Sequence, residues 1–411
     1  MIAYYLILFA TIAFILYSYR AVYLVSYNWS NKWKRTFRIT YLVITILIYA
    51  TTSFLAVNRD QYLENNPTLR NYTIVGAITL SVTLLSICVF QLIADIYLLT
   101  AKSIRKKRPA KSDDISRKTF LNKLALGVGG VFLGSFLWGT TKGKFGWRVL
   151  RNTLSFDNLP KAFNGLKIVQ ISDLHLGSFN KNFGPIEEAI EMINDLNPDY
   201  IFFTGDLINK DPEEAKPWIE PLKKLKAKQG KYAILGNHDY GWGKIKEEEK
   251  DYNRKEVISI NQQMGFRVLA NEHEIIEKNG EKIALVGVEN WGFSEENWFP
   301  TKGDYKKSVH GMANVPFKIL LSHDPTHWDH HILGKEPVDL TLSGHTHGGQ
   351  LGISVPGLLE ISAAKLFYKR FAGLYKVGKQ CLYVNRGMGF LIFPGRVGMP
   401  PEITLHELYT S

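Results

Sequence analysis

Asp173, His175, Asp206, Asn237, His238, His323, His345 and His347 are the side chains of this sequence best suited to chemistry. Each follows closely on a short apolar run. They offer imidazole, carboxylate and amide donors and no thiolate. That set suits Mn²⁺, Fe or Zn²⁺ in a reactive site better than a structural zinc site. So many donors exceed the needs of one tetrahedral ion and suit two. Two divalent ions ~3.5–4 Å apart can hold a hydroxide between them and clamp the oxygens of a phosphoryl group. Water held this way deprotonates near neutral pH, so no Ser or Cys nucleophile is required.

The elements that must position these groups follow from hydrophobic periodicity. Ile168–Ile171 leads into Ser172-Asp173-Leu174-His175, and Tyr200–Phe203 leads into Thr204-Gly205-Asp206. Tyr232–Leu235 leads into Gly236-Asn237-His238-Asp239, where the glycine gives room for a bend beside a bound phosphate. Ile283–Val286 ends at Gly287, Phe317–Leu321 at Ser322-His323-Asp324, and Leu340–Leu342 at Ser343-Gly344-His345-Thr346-His347. Between them lie helical patterns: Ile186, Ile190 and Ile193 share one face between Pro185 and Pro198, and Trp218, Leu222 and Leu225 form another set. Alternating strands and helices place ligands at the carboxyl ends of the strands. One such histidine is most simply a core or surface residue; five strand ends of this kind converge on a site.

Asp173-x-His175, Gly205-Asp206, Gly236-Asn237-His238-Asp239, His323 and Gly344-His345-x-His347 resemble, in order, the signature of the calcineurin-like metallophosphoesterase superfamily. Tyr383-Val384-Asn385-Arg386-Gly387 and Pro400-Pro401-Glu402-Ile403-Thr404 are similar to its bacterial membrane-associated branch, which includes transmembrane members. The resemblance implies an α/β domain of two packed mixed β-sheets flanked by helices over about 164–411. It also implies a dinuclear metal-dependent phosphohydrolase with a metal-bridging hydroxide nucleophile. Asp173, His175 and His347 would bind the first ion, Asp206 would bridge, and Asn237, His323 and His345 would bind the second. His238 would contact the phosphate and protonate the leaving oxygen, with Asp239 orienting its ring.

The other third of the chain belongs to a membrane. The 411 residues carry a net charge of +12, yet residues 1–150 hold 19 Lys/Arg against 5 Asp/Glu, while the remainder holds 31 against 33. A basic excess confined to the apolar third indicates membrane topology and argues against a nucleic-acid partner. Four segments of a transmembrane region over 1–141 read as α-helical spans: 2–19, 39–57, 72–94 and the Gly-rich 124–141. Asp95 closes the third span and is expected at the interface or paired within the bundle. The loops before the second and fourth spans are rich in Lys and Arg, so both face the cytoplasm, and four crossings put the catalytic domain outside it. Ser116–Leu121 resembles a twin-arginine signal with Lys in place of the second Arg, which points the same way. If 124–141 does not cross, the domain is cytoplasmic. Residues 142–163 read as a linker, whose Lys142, Lys144, Arg148 and Arg151 suit anionic headgroups. Two cysteines give no disulfide framework.

The donors set the reaction class and leave the substrate open. Tyr240, Trp242, Trp291, Phe293, Trp298, Phe299 and the run Phe390–Arg396 read either as loop packing or as a rim that dips into lipid. The favoured expectation is an integral protein of a bacterial cell membrane acting on a lipid-linked or cell-envelope phosphate, such as a phospholipid. A soluble phosphoester or nucleotide, and a non-enzymatic metal-binding sensor, are the alternatives. The oligomeric state, the head group and the metal identities are left open.

Overall fold

The computed structural model describes residues 2–58, 66–104, 113–243, 245–292, 301–355 and 359–411. The chain divides into two compact units, Met1–Thr141 and Lys142–Ser411.

The first unit is helical: α1 (Ile2–Val25), α2 (Asn31–Val57), α3 (Pro67–Ile104) and α4 (Asp113–Thr141). Within them, Asn31–Leu55, Leu69–Thr100 and Thr119–Thr141 are long and apolar enough to cross a membrane. The Gly-rich segment is therefore part of a full-length helix, and Ser116–Leu121 lies inside it. One of its glycines has a visible reason: a Cβ on Gly129 would collide with Ile87 of α3, so the close approach of α3 and α4 requires its absence. The basic cluster Arg105–Arg108 falls outside the described residues.

Asp95 of α3 is paired within this unit. Its carboxylate accepts hydrogen bonds from Tyr17 Oη at 3.0 Å and Arg20 Nη2 at 2.9 Å, both on α1. Removing one partner strands a charge in an apolar setting, whereas removing both does not. Asp95→Leu is therefore expected to lower the melting temperature in detergent, and Arg20→Met in the same chain to restore most of it. Additive losses in the double variant would sink this reading.

The second unit stacks two six-stranded mixed sheets. The first has the order β1 (Arg148–Phe156), β14 (Glu402–Thr410), β2 (Leu166–Ile171), β3 (Tyr200–Phe203), β4 (Gly230–Ala233), β5 (Arg267–Val268). The second runs β12 (Gly373–Val377), β13 (Gln380–Val384), β9 (Leu340–Ser343), β8 (Lys318–Leu321), β7 (Glu281–Gly287), β6 (Glu272–Lys278). Central strands pair in parallel; β14 with β2, β12 with β13 and β6 with β7 are antiparallel. Strands apolar on both faces can be covered on both sides. Ile168 and Phe202 meet Leu285, Ile319 and Leu342 between the sheets, while Val169, Ile201 and Phe203 pack outward. That outer face is covered by α5 (Phe183–Asp195), α6 (Ile219–Lys223) and α7 (Glu247–Gln263). Ile186, Ile190 and Ile193 line the buried stripe of α5, as their spacing predicts. A short helix α8 (Tyr305–Ser308) and a separate hairpin, β10 (Gly352–Val355) with β11 (Leu359–Ser362), complete the unit.

The segment 142–163 is not a linker. Its residues 148–156 form β1, paired in parallel with β14 over nine positions from Arg148↔Glu402 to Phe156↔Thr410. Alternation of exposed and buried residues, ending in buried Leu154 and Phe156, marks an edge strand whose inner face joins the core.

Candidate functional site

The site is built from the turns that follow β2, β3, β4, β8 and β9. Their backbone is unusual: Asp173, His175, Asp206, His345 and His347 all have φ between 46° and 73°. Non-glycine residues adopt this left-handed conformation at a cost, and such residues cluster where surrounding structure fixes a side-chain direction. Gly236 is needed for a related reason, although a bound phosphate is not what fills the space beside it. A Cβ there would strike the Asp206 carboxylate.

These turns bring together Asp173, His175, Asp206, Asn237, His238, His323, His345 and His347, all buried except half-buried His345. Three groups have ligand atoms within 4.8 Å of one another: Asp173/His175/His347, His175/Asp206/His238 and Asp206/His323/His345. His175 Nε2 lies 3.1 Å from His347 Nε2, which is 3.4 Å from Asp173 Oδ1. Asp206 Oδ2 lies 3.5 Å from His175 Nε2 on one side and 3.2 Å from His323 Nε2 on the other. Asn237 Oδ1 is 3.1 Å from His323 Nε2 and 2.7 Å from His345 Nδ1. Two donors bound to one ion at ~2.0–2.2 Å stand roughly 3–3.5 Å apart. The spacing and the all-oxygen-and-nitrogen donor set thus fit divalent ions.

Contacts behind the site fix which ring nitrogen faces it. His175 Nδ1 lies 3.1 Å from the Ile208 carbonyl and His323 Nδ1 lies 2.7 Å from that of Thr204. Both Nδ1–H groups donate, leaving both Nε2 lone pairs toward the cluster. His345 is turned the other way, with Nε2 at 2.8 Å from Tyr368 Oη and Nδ1 toward Asn237. Asp206 divides its oxygens: Oδ1 accepts from the His238 amide at 2.8 Å, and Oδ2 stays between the two histidines.

Charge in this buried pocket is unevenly distributed. Burial opposes ionisation of Asp206, but His323 and His238 outweigh it and hold the carboxyl well below its ordinary range. Burial likewise opposes the charge on His323, yet Asp206 pushes it up to about 10, so its Nε2 holds a proton that a bound divalent ion would displace. Burial raises Asp173, with Asp206 adding to the effect, and lowers His238 to about 3. His347 is held well below its usual range by burial and by neighbouring His175 and Arg396.

Asp239 does not orient the His238 ring. Its carboxylate accepts from the backbone amides of Gly236, Asp206 and Leu207 at 2.8, 2.9 and 2.8 Å, tying two strand-end turns together. The ring of His238 is oriented by the Asn209 carbonyl, 2.7 Å from Nδ1, and by Trp242, stacked at 4.5 Å between centroids. The Asn209 carbonyl is not legible from spacing, because a backbone carbonyl has no sequence signal, and Trp242 reads in sequence only as loop packing or rim.

The expected lipid-dipping rim is mostly ordinary packing among the described residues. Tyr240 is buried and donates to Glu289 at 2.8 Å, and Trp291 packs on His327 and His331. Phe390 and Phe393 are core residues. Phe293, Trp298 and Phe299 lie outside the described residues. Arg396 is fully buried: it donates to the carbonyls of His347 at 2.8 Å, Gly389 at 3.0 Å and Gly387 at 3.2 Å. Arg396→Met would leave the buried Gly389 carbonyl unsatisfied, at ~1–3 kcal/mol, while the His347 and Gly387 carbonyls keep the amides of Gln350 and Glu402. The expected outcome is a lower melting temperature and, where His347 serves as a ligand, weaker metal binding, read by thermal denaturation and metal titration.

A family profile described as "Calcineurin-like phosphoesterase" matches residues 166–349, and one described as "Probable Calcineurin-like phosphoesterase, transmembrane domain" matches 1–144. The chain is 33% identical over 264 residues to the metallophosphoesterase YkuE of Bacillus subtilis, covering 63% of this chain and 85% of that protein. Phosphodiesterase YaeI of Escherichia coli is 31% identical, covering 64% and 89%. A transmembrane protein with metallophosphoesterase domain from Danio rerio is 30% identical, covering 62% and 56%. The chain belongs to the calcineurin-like metallophosphoesterases, in their membrane-associated form.

Proposed function

We propose that this protein is a membrane-anchored, metal-dependent phosphoesterase that hydrolyses a lipid-linked or cell-envelope phosphate outside the cytoplasm. The observation that carries the chemistry is the placement of Asp206 Oδ2 between two histidine-lined groups. Asp173, His175 and His347 would hold one divalent ion, Asn237, His323 and His345 a second, and Asp206 would serve both. Ions bound there would supply deprotonated water near neutral pH and neutralise phosphoryl oxygens.

The chain's own residues do the rest. The Ile208 and Thr204 carbonyls keep the ligand rings aligned. His238, with Nδ1–H held on the Asn209 carbonyl, presents its other nitrogen for a phosphate oxygen and for the leaving group. The buried turns keep bulk water away from the reacting atoms. Helices able to cross a membrane, the excess of basic residues in the first unit, and the transmembrane profile match support an anchored enzyme. An even number of crossings, with basic loops inside, would place the domain outside the cytoplasm.

The test uses the full chain in phospholipid discs, loaded with Mn²⁺, Fe²⁺ or Zn²⁺. Cleavage of bis-p-nitrophenyl phosphate should require metal, and turnover should be greater on phospholipid-linked phosphates than on soluble nucleotides. No metal-dependent cleavage would sink the catalytic reading; faster turnover of nucleotides would sink the lipid substrate and leave the chemistry standing.

A further inference from the structure

The β10–β11 hairpin is amphipathic in the reverse of the usual sense. Ile353 pairs directly with Ile361, and Leu359 lies two positions further along, so all three share one face. That face is exposed, at 53%, 53% and 44%. The opposite face carries Ser354 and Glu360, which bond to each other at 3.2 Å, and Glu360 pairs with the buried Arg386 of the domain body. A hairpin in water turns its polar face outward. This one turns it inward.

The apolar face has neighbours of the same kind. The next turn exposes Leu366 at 82% and Phe367 at 80%, and Ile392 is exposed at 71%. These segments rest on the turn that carries His347. Ser362 Oγ donates to the Gly348 carbonyl, Gln350 Nε2 donates to Phe393 O at 2.7 Å, and Leu391 N donates to Gln350 Oε1 at 2.7 Å. Tyr368, adjacent to Phe367, holds His345. The segments that carry this surface are therefore tied to the turns of the site.

Charge indicates what covers it. Between Glu360 and Glu402 the chain has no acidic residue and seven Lys or Arg, although residues 151–411 together are slightly acidic. Arg386 and Arg396 are buried, while Lys365 and Lys369 are exposed beside Leu366 and Phe367. Large exposed apolar side chains flanked by lysines fit an anionic lipid surface, which also lies within reach of a chain anchored by membrane helices.

We propose that Ile353, Leu359, Ile361, Leu366, Phe367 and Ile392 form a platform that enters the surface of an anionic bilayer and holds the mouth of the site against it. The proposal deepens the lipid-phosphate reading and rests on the membrane anchoring assumed there.

Full-length protein in discs containing phosphatidylglycerol, labelled with an environment-sensitive fluorophore at Phe367→Cys or Ile392→Cys, tests it; the native Cys88 and Cys381 are buried. Nitroxide-bearing lipids should quench both labels far more than one at Glu248→Cys on α7. Combining Lys365→Ala and Lys369→Ala should lower the docked-to-undocked ratio by about fivefold per lysine. Quenching no greater than at position 248 overturns the proposal. So does a blue shift that tracks protein copies per disc and ignores the nitroxide, since that assigns the face to a second copy. Cleavage of bis-p-nitrophenyl phosphate in the same discs separates the two readings. Quenching without cleavage refutes the enzyme and leaves the platform, and cleavage without quenching does the reverse.

Discussion

Asp206→Asn lowers metal-dependent turnover by more than about a hundredfold, a larger loss than outer partners of metal ligands produce. Three features set the size of this expected effect. The Oδ2 atom stands between His175 and His323. The neighbouring residues keep Asp206 ionised in a site where burial alone would protonate it. An amide oxygen carries no full charge to neutralise the ions. The fold should survive, because the isosteric side chain can still accept the His238 amide that now bonds to Oδ1. Circular dichroism would check the fold, metal titration the stoichiometry, and diester cleavage the rate. Wild-type turnover in the variant would refute a shared ligand at this position.

The second large effect concerns His238 and depends on the substrate. With an alkoxide leaving group, which needs a proton, His238→Ala should reduce kcat by about 10²–10⁴-fold. With p-nitrophenolate, which leaves unprotonated, the loss should be far smaller. Geometry alone does not separate this residue from the ligands, because its ring atoms group with those of His175 and Asp206. Metal affinity does: a proton donor can be removed without weakening it, and a ligand cannot. Equal losses for both leaving groups, accompanied by weaker metal binding, would reassign His238 as a ligand.

The strand-end turns were legible because a parallel strand buried on both faces is a continuous apolar run, and polar residues directly after it stand out. Asp173, His175, Asp206, Asn237, His323, His345 and His347 were all found this way, and the turns do converge. The errors have physical causes too. β1 reads as a linker in sequence because an edge strand buries one face only, and the four basic residues from Lys142 to Arg151, two of them in β1, dominate the impression. Asp239 was misassigned because proximity in sequence suggested contact with His238, whereas the turn directs its carboxylate to backbone amides. Tyr368 and Arg396 were missed as supports because each acts across a long loop. The exposed hairpin was missed because alternation reveals that a strand has two faces without revealing which one meets water.

The clamp made by Asp239 bears on how the protein acquires its ions. Three backbone amides from two turns converge on a carboxylate that belongs to the chain. The clamp would therefore hold these two turns together with or without an ion, unlike small zinc domains that fold only around their metal. Loading then becomes a capture step, paced by ion availability and exchange rather than by refolding. The metals found in the isolated protein would accordingly record the compartment in which it was filled.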